Sequence, residues 1–514
     1  MRTVIVVILI AFLPVLGYIP SSMTIEAFNN IDFYKNIVFN NFDFQYFGGQ
    51  KIDNQNFYFF GLIFTIISLL KIKLAYIGYI WYTGIFIFGA IGASKLIKII
   101  AAKYNIVLDN FKNNALILFF IFNYYTITQL DNGYLIFPYL LMPSLIFASL
   151  KYSDYSSKKY LLLLIIFSNL NTTQITLNII NIIVMSVIVS HYNGTLKAIK
   201  CFVIICSSSL WFWGSYAISA LSPSKGIIFA AGDEGFGFYN RTTEFFEIIR
   251  LLGNWAISDN ALPVAKLIGD NFIGIIISFI PLLTLTILWR HESVKFKYSL
   301  VIFLFLAMGS NASSPLYFIW NFISNNFSFF NVFRNTYKFV GPLVLLFCIN
   351  YIFIKELRLI KLLYIYVIYV IATIYIVNIH PLNTRFYSTP QYWIDAEEYI
   401  KKKIDGKDNI LLLPFEKNTI FEWGSYNGFI YGTPLNIKNP ILYRTLSSTN
   451  NLLVENIRDK FLENNPCEIL KSNNIKLIIN RNDIISKEYF NISDIKCGIN
   501  YKNFGPIELI QIKH

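Results

Sequence analysis

Charge is what this 514-residue sequence has least of: 14% of its residues are Asp, Glu, Lys or Arg, against 55% hydrophobic and 18% aromatic. A soluble chain of this length carries far more charge, so a soluble enzyme or binding module is excluded. The charge that is present is lopsided, at +13. No basic and aromatic residues cluster as nucleic-acid binding would need, and most Lys and Arg sit in short links between apolar runs. Cysteine is scarce too, with five residues and no CxxC. Cys201, Cys206 and Cys348 fall in or beside apolar runs and read as small packing residues. Cys467 and Cys497 lie in a polar tail, where a disulfide is open to them if the tail sits outside the cytoplasm. The four histidines are scattered, and the sequence contains neither a DxD motif nor a Gly-rich phosphate loop. No metal or other cofactor is therefore expected.

What the sequence has instead is apolar runs long enough to cross a bilayer, recurring through its first three quarters. The fold class they specify is a polytopic α-helical membrane protein. The first helix is expected at 3–19, with its N-terminus in the cytoplasm. A short apolar stretch at 57–70 suits a re-entrant or interfacial segment. Further spans are expected near 74–94, 114–130, 134–150, 160–171, 173–190, 201–221, 271–289, 298–309, 339–354 and 362–379, about eleven in all.

Charge tests that layout. Counted from an N-inside start, every cytoplasmic link is basic: Lys95, Lys98, Lys103 and Lys112; Lys151, Lys158 and Lys159; Lys197 and Lys200; Arg290, Lys295 and Lys297; Lys355, Arg358 and Lys361. The short outer turns near 131–133 and 172 carry no Lys or Arg, which is the positive-inside pattern. An odd number of spans places the tail, 381–514, outside an integral protein of the cell membrane. Four N-x-S/T sequons, at Asn240, Asn311, Asn326 and Asn491, fall on the same outer side, although such motifs recur by chance in an Asn-rich chain.

The chain thus divides into a membrane domain, 1–380, with outer loops 20–73, 222–270 and 310–338, and an extracytoplasmic α/β domain, 381–514. In the tail, QYWIDAEEYIKKKI (391–404) and LLVENIRDKFLEN (452–464) have helical periodicity. NILLLP (409–414), IKLIIN (475–480) and IELIQIK (507–513) read as strands.

Three outer regions could carry chemistry. The loop after the first helix holds Glu26, Asp32, Asp43 and Asp53 among aromatics. A carboxylate beside a low-dielectric surface can be tuned as a general base, although loop carboxylates are more often solvated or helix caps. The loop 222–270 offers Asp233, Glu234, Arg250 and Trp255, the carboxylates and aromatic platform that a sugar site needs; interface packing is the plain alternative. The third is FFNVFRNTYKFVGPLVLLF (329–347), where Arg334 and Lys338 stand four residues apart at the mouth of an apolar run. On the outer side the positive-inside bias gives them no reason to be there. Paired cations at that depth suit a lipid-linked phosphate, with snorkelling anchors as the alternative.

The order of these stretches resembles a known family. An FGG…NQNFYFF stretch precedes the re-entrant segment, and WYTGIFIFGAIGASKLIKII makes the next span. SNLNTTQITLNII interrupts an apolar hairpin, and LWFWGSYAISAL, RTTEFFEIIRLLGNW and FRNTYKF follow. Over roughly residues 1–380 this is similar to the large membrane arabinofuranosyltransferases that build cell-wall arabinan, in the GT-C class of polyprenyl-phosphate-sugar-dependent enzymes. RLLGNW with FRNTYKF is the most specific part.

The resemblance implies an inverting transfer on the outer side, from a polyprenyl-phosphate sugar to an envelope glycan or glycoconjugate. A carboxylate of the first outer loop would act as the base. Where the family shows an Asp-Thr-Lys-x-Asp stretch, this sequence reads Ser22-Met23-Thr24-Ile25-Glu26. Glu26 is then the base by resemblance and Asp32 by proximity in sequence. Arg334, Lys338 and Arg250 would bind the donor phosphate. Asp233, Glu234, Trp255, Asn54 and Gln55 would line the substrate site. Two other readings stand beside this one. A glycan flippase or transporter would carry charges inside its spans, and the central spans have few. A scaffold with the fold and no activity is motivated by Ser22.

Overall fold

A computed structural model describes residues 1–13, 74–130, 133–173, 175–214, 243–253, 271–288, 294–327, 330, 333, 335–379, 390–405, 408–415, 437, 439, 441–442, 451–463, 465–484 and 495–513. Helix dominates. In chain order the helices are α1 (Arg2–Ala11), α2 (Leu74–Lys103), α3 (Asn110–Ile121), α4 (Tyr124–Thr128), α5 (Gly133–Tyr155) and α6 (Lys158–Leu170). Then come α7 (Ile175–Asn193), α8 (Thr195–Ser208), α9 (Phe245–Ile249), α10 (Phe272–Ser278), α11 (Ile280–Leu288), α12 (Val294–Met308) and α13 (Tyr317–Asn326). A 3₁₀ turn, Thr336–Phe339, leads into α14 (Val340–Tyr351), and α15 (Leu357–Ile379) follows.

Four of these, within α2, α5, α7 and α15, are long and apolar enough to cross a membrane among the described residues. Shorter apolar helices cover Arg2–Ala11, Phe272–Thr284, Tyr298–Met308 and Thr336–Tyr351. Two runs that read as single spans are broken. Residues 114–130 split at Asn123, whose side chain caps α4 by accepting from the Thr126 N–H at 3.0 Å. Residues 271–289 are interrupted at Phe279, two positions before Pro281, whose missing N–H removes one bond of the helical ladder.

One apolar core runs from Val4 in α1 to Ile374 in α15. Its tightest seam is α2 against α5. A Cβ placed on Gly92 would come within 2.2 Å of the Ser144 Oγ and 3.1 Å of its backbone N. Only a glycine lets the two backbones approach this closely, which is how helices associate without a hydrophobic drive between them. One end of the bundle is tied by Lys112, whose Nζ donates to the Ile352 carbonyl at 2.6 Å and to the Ile354 carbonyl. These lie just past the end of α14, so the lysine of α3 caps a helix 240 residues away.

The tail is a mixed sheet between helices. The strands are β1 (Asn409–Leu413), β2 (Ile441–Leu442), β3 (Ile475–Arg481), β4 (Gly498–Phe504) and β5 (Ile507–Ile512), in the order β2-β1-β3-β5-β4. β1 is parallel to β2 and β3, whereas β5 is antiparallel to β3 and β4. β1 is buried along its whole length and β3 nearly so, as strands covered on both faces must be. Trp393 and Ile400 of α16 (Gln391–Lys403) pack with Ile410, Leu412, Leu477 and Ile479 on one face. Ile457 of α17 (Asn451–Leu462) and Leu470 of α18 (Cys467–Ser472) pack with Leu411, Leu413, Ile478 and Ile510 on the other. Cys467 and Cys497 are joined by a disulfide, with 5.7 Å between their Cα atoms. Each tail element expected from the sequence is present, and β2, α18 and β4 were missed.

Candidate functional site

The FRNTYKF stretch is where distant parts of the bundle meet. Thr336–Phe339 is a 3₁₀ turn, with about three residues per turn, so consecutive side chains point about 120° apart. They reach three different partners. Thr336 is fully buried and its Oγ1 donates to the Ala307 carbonyl at the end of α12, at 2.9 Å. The Tyr337 hydroxyl donates to the Leu251 carbonyl at 3.1 Å and lies 2.7 Å from the Thr128 Oγ1. The half-buried Lys338 donates from Nζ to the Thr176 Oγ1 at 3.4 Å. The Tyr337 ring packs on Tyr125, centroids 5.2 Å apart, and Phe339 stacks on Phe333.

The second wall is RLLG, 250–253. Leu251 has φ +63° and Gly253 φ +104°, so the chain turns sharply out of α9. That turn leaves the Leu251 carbonyl outside any helix, where Tyr337 takes it. The two stretches singled out in the sequence are thus hydrogen-bonded across 86 residues. Arg250 is buried in this wall. It donates from Nη1 to Glu247 Oε1 at 2.8 Å and from Nε to Ser278 Oγ at 2.8 Å, and its guanidinium lies over the Phe279 ring at 5.7 Å. Its charge therefore has a carboxylate partner, and the Thr176 hydroxyl is one ligand of Lys338.

The third wall is the interruption of SNLNTTQITLNII. Residues Asn171–Thr173 form a 3₁₀ turn between α6 and α7. Three buried asparagines hold it. Asn181 Nδ2 donates to Asn171 Oδ1 at 2.7 Å and to the Pro138 carbonyl at 2.9 Å, and Asn178 Nδ2 donates to the Asn171 carbonyl at 3.0 Å. Asn171 Nδ2 and Asn178 Oδ1 are buried without a hydrogen-bond partner among the described residues, as are Tyr125 OH, Thr126 Oγ1, Gln129 Oε1 and Asn335 Oδ1. Unpaired buried polar atoms are costly. These six lie near, in sequence, Tyr337, Lys338 or the threonines that those two reach, Thr128 and Thr176.

Of the ten residues singled out from the sequence, Lys338 and Arg250 fall in this arrangement. Glu26, Asp32, Asn54, Gln55, Asp233, Glu234, Trp255 and Arg334 lie outside the described residues. Thr128, Thr176, Tyr337, Ser278 and the three asparagines were missed. A signal for the asparagines existed: residues 171, 178 and 181 recur at helical spacing in an apolar run. Among the described residues no three His, Cys, Asp or Glu side chains gather as a metal site.

A bundle of apolar helices, four of them long and apolar enough to cross a membrane among the described residues, is followed by a small mixed sheet. The chain superposes on the arabinofuranosyltransferase AftD from mycobacteria with a TM-score of 0.64 at 14% identity, over 100% of this chain and 40% of that one. Two classes of a point mutant of that enzyme give TM-scores of 0.62 and 0.59, each at 13% identity, over 99% and 100% of this chain and 41% of theirs. The chain therefore spans about two fifths of the length of these neighbours, and the likeness is one of fold. No family model and no curated protein matches the sequence.

Proposed function

We propose that this chain is a GT-C-type glycosyltransferase. It would move a sugar from a polyprenyl-phosphate donor to an envelope glycan or glycoconjugate on the outer side of the cell membrane. The carrying observation is Lys338, a half-buried ammonium held by a threonine hydroxyl in a fold shared over the whole chain with arabinofuranosyltransferases. Such a cation can take a lipid phosphate and stabilise the charge that develops on it as the sugar leaves. Arg334 would be its partner. Arg250 would share its charge between Glu247 and the phosphate. Glu26, or else Asp32, would take the acceptor proton, and inversion would follow from attack on the face opposite the phosphate. Asp233, Glu234, Trp255, Asn54 and Gln55 would hold the sugars. About eleven spans, a cytoplasmic N-terminus and an outer tail complete the reading. The Cys467–Cys497 disulfide supports the outer tail, because such bonds persist in oxidising compartments.

The test is a transfer assay on purified protein in lipid, with labelled polyprenyl-phosphate sugars and envelope acceptors. Glu26→Gln, Asp32→Asn, Arg334→Ala and Lys338→Ala are compared with the parent. Loss of transfer in one carboxylate variant and in both cation variants is expected. Donor binding without transfer in the parent would replace the enzyme with a scaffold or flippase. No donor binding on a broad panel would return Arg334 and Lys338 to interface anchors.

A further inference from the structure

Between the apolar helices Tyr298–Met308 and Thr336–Tyr351 lies a link of unusual composition. Residues 309–333 hold eight aromatic side chains and no Asp, Glu, Lys or Arg. The link does not stray far from α12. Three successive turns close with N–H to carbonyl bonds, Asn311 to Met308 at 3.1 Å, Ser314 to Asn311 at 2.8 Å and Tyr317 to Ser314 at 3.0 Å. Such turns fold the chain back on itself, so α13 starts close to the end of α12. On the inner side of α13, Trp320 is buried, its ring centroid 4.7 Å from that of Phe330 and 6.4 Å from that of Phe339. The opposite side is bare: Phe318 is 82%, Ile319 55% and Phe322 66% exposed. At i, i+1 and i+4 these three share an arc of about 100°. Asn325 and Asn326, also exposed, end the helix.

We propose that α13 is an in-plane membrane helix, with Phe318, Ile319 and Phe322 sunk into the hydrocarbon of the adjoining leaflet. The inference holds whichever leaflet that is, and it does not rest on the transfer reaction. Position and composition both select lipid as the partner of this face. The start of α13 is tied to the end of one apolar helix, and its Trp320 rests on Phe339 at the start of the next. The helix is thereby held at the bilayer surface. A helix lying there with its rings outward reaches about 5–10 Å into the boundary between headgroups and acyl chains. No Lys or Arg in residues 309–333 would draw it to anionic headgroups, so the attraction is apolar and independent of lipid charge. The contact of Trp320 with Phe339 also joins α13 to the turn that carries Lys338. The immersed helix therefore anchors that turn at the depth of the headgroups.

The test is fluorescence of the full chain carrying bimane at Phe322→Cys, in phosphatidylcholine vesicles. The background is Cys206→Ser, because Cys201 and Cys348 are buried and Cys467 and Cys497 are paired. Blue-shifted emission is expected, quenched by lipids with a nitroxide near the ester carbonyls and untouched by aqueous iodide. The same spectrum is expected when phosphatidylglycerol is mixed in. Quenching by iodide overturns the proposal, as does a blue shift that needs the anionic lipid. Disulfide-linked dimers of unlabelled Phe322→Cys at low protein-to-lipid ratio would put a second copy on this face and overturn it too. Phe318→Asp, one turn before the label, should shift the emission to the red and admit iodide; an unmoved spectrum counts against immersion. Trp320→Ala should speed hydrogen exchange at residues 336–339 and not in α2 or α5, and unchanged exchange at 336–339 overturns the anchoring of that turn.

Discussion

Gly309→Ala should loosen the turn that positions Lys338, and the size of the effect can be worked out from the contacts around it. Gly309 has φ +53°, in the left-handed region. A Cβ there costs about 1–2 kcal/mol from backbone sterics alone. That Cβ would also lie 2.3 Å from Thr336 Cγ2, 2.4 Å from its Oγ1 and 2.7 Å from its Cβ. Thr336 cannot yield cheaply, because its Oγ1 is committed to the Ala307 carbonyl in a buried site. Breaking that bond leaves buried groups unpaired, at a further cost of about 1–3 kcal/mol. The sum is a local destabilisation of roughly 2–5 kcal/mol. Hydrogen exchange at residues 307–309 and 336–339 of the full chain in detergent reads it. The decisive comparison is a double-mutant cycle with Thr336→Ala, which removes the two nearest atoms and leaves the backbone penalty in place. The two substitutions should be less than additive by about 1–2 kcal/mol. Additivity, or an unaltered Gly309→Ala, would refute the steric account of how 336–338 is held.

Tyr337→Phe removes the link to the Leu251 carbonyl and to Thr128. It should cost about 1–3 kcal/mol in local hydrogen exchange and raise the Kd for a polyprenyl-phosphate sugar, whereas Tyr366→Phe, bonded instead to the Tyr124 N–H, should leave that Kd alone. Burial pushes the Lys112 ammonium down to about 8, against the pull of Asp109 and Glu356. The unfolded state therefore binds more protons between pH 8 and about 10.5, and stability contributed at this site should rise with pH across that window. The difference in denaturation midpoint between the parent and Lys112→Met, followed from pH 7 to 10.5, should show that rise, and a flat difference would refute it. Cys467→Ser opens a link spanning 30 residues, worth roughly 3–4 kcal/mol in chain entropy. Faster exchange should follow in β3 to β5 and not in α2 or α5.

The sequence carried the tail well, because strands buried on both faces are written as unbroken apolar runs: NILLL and IKLIIN could hardly be anything else. It failed at β4, where GINYKNF is mostly exposed and lacks that mark. In the membrane region, hydropathy located helices but not the breaks inside them. Asn123 and Pro281 end helices through a side-chain cap and a missing N–H, local effects that average away over a window of spanning length. Lys338 stood out in the sequence because a cation on the expected outer side would break the positive-inside bias. Thr128 and Thr176 were not, because a threonine in an apolar run carries no signal until a partner from elsewhere in the sequence reaches it.

That distance has a consequence for biogenesis. The turn at 336–339 is closed by partners 29, 86, 162 and 209 residues earlier in the chain. None of these bonds can form until the ribosome has released residue 338. The helices that carry these partners must therefore wait, with these bonds unmade, for one late segment to lock them. Nascent chains stalled before that point would leave the Thr128 and Thr176 hydroxyls and the Leu251 and Ala307 carbonyls without these partners. Such a signal would let quality control recognise an unfinished copy by its unsealed interior rather than by its length.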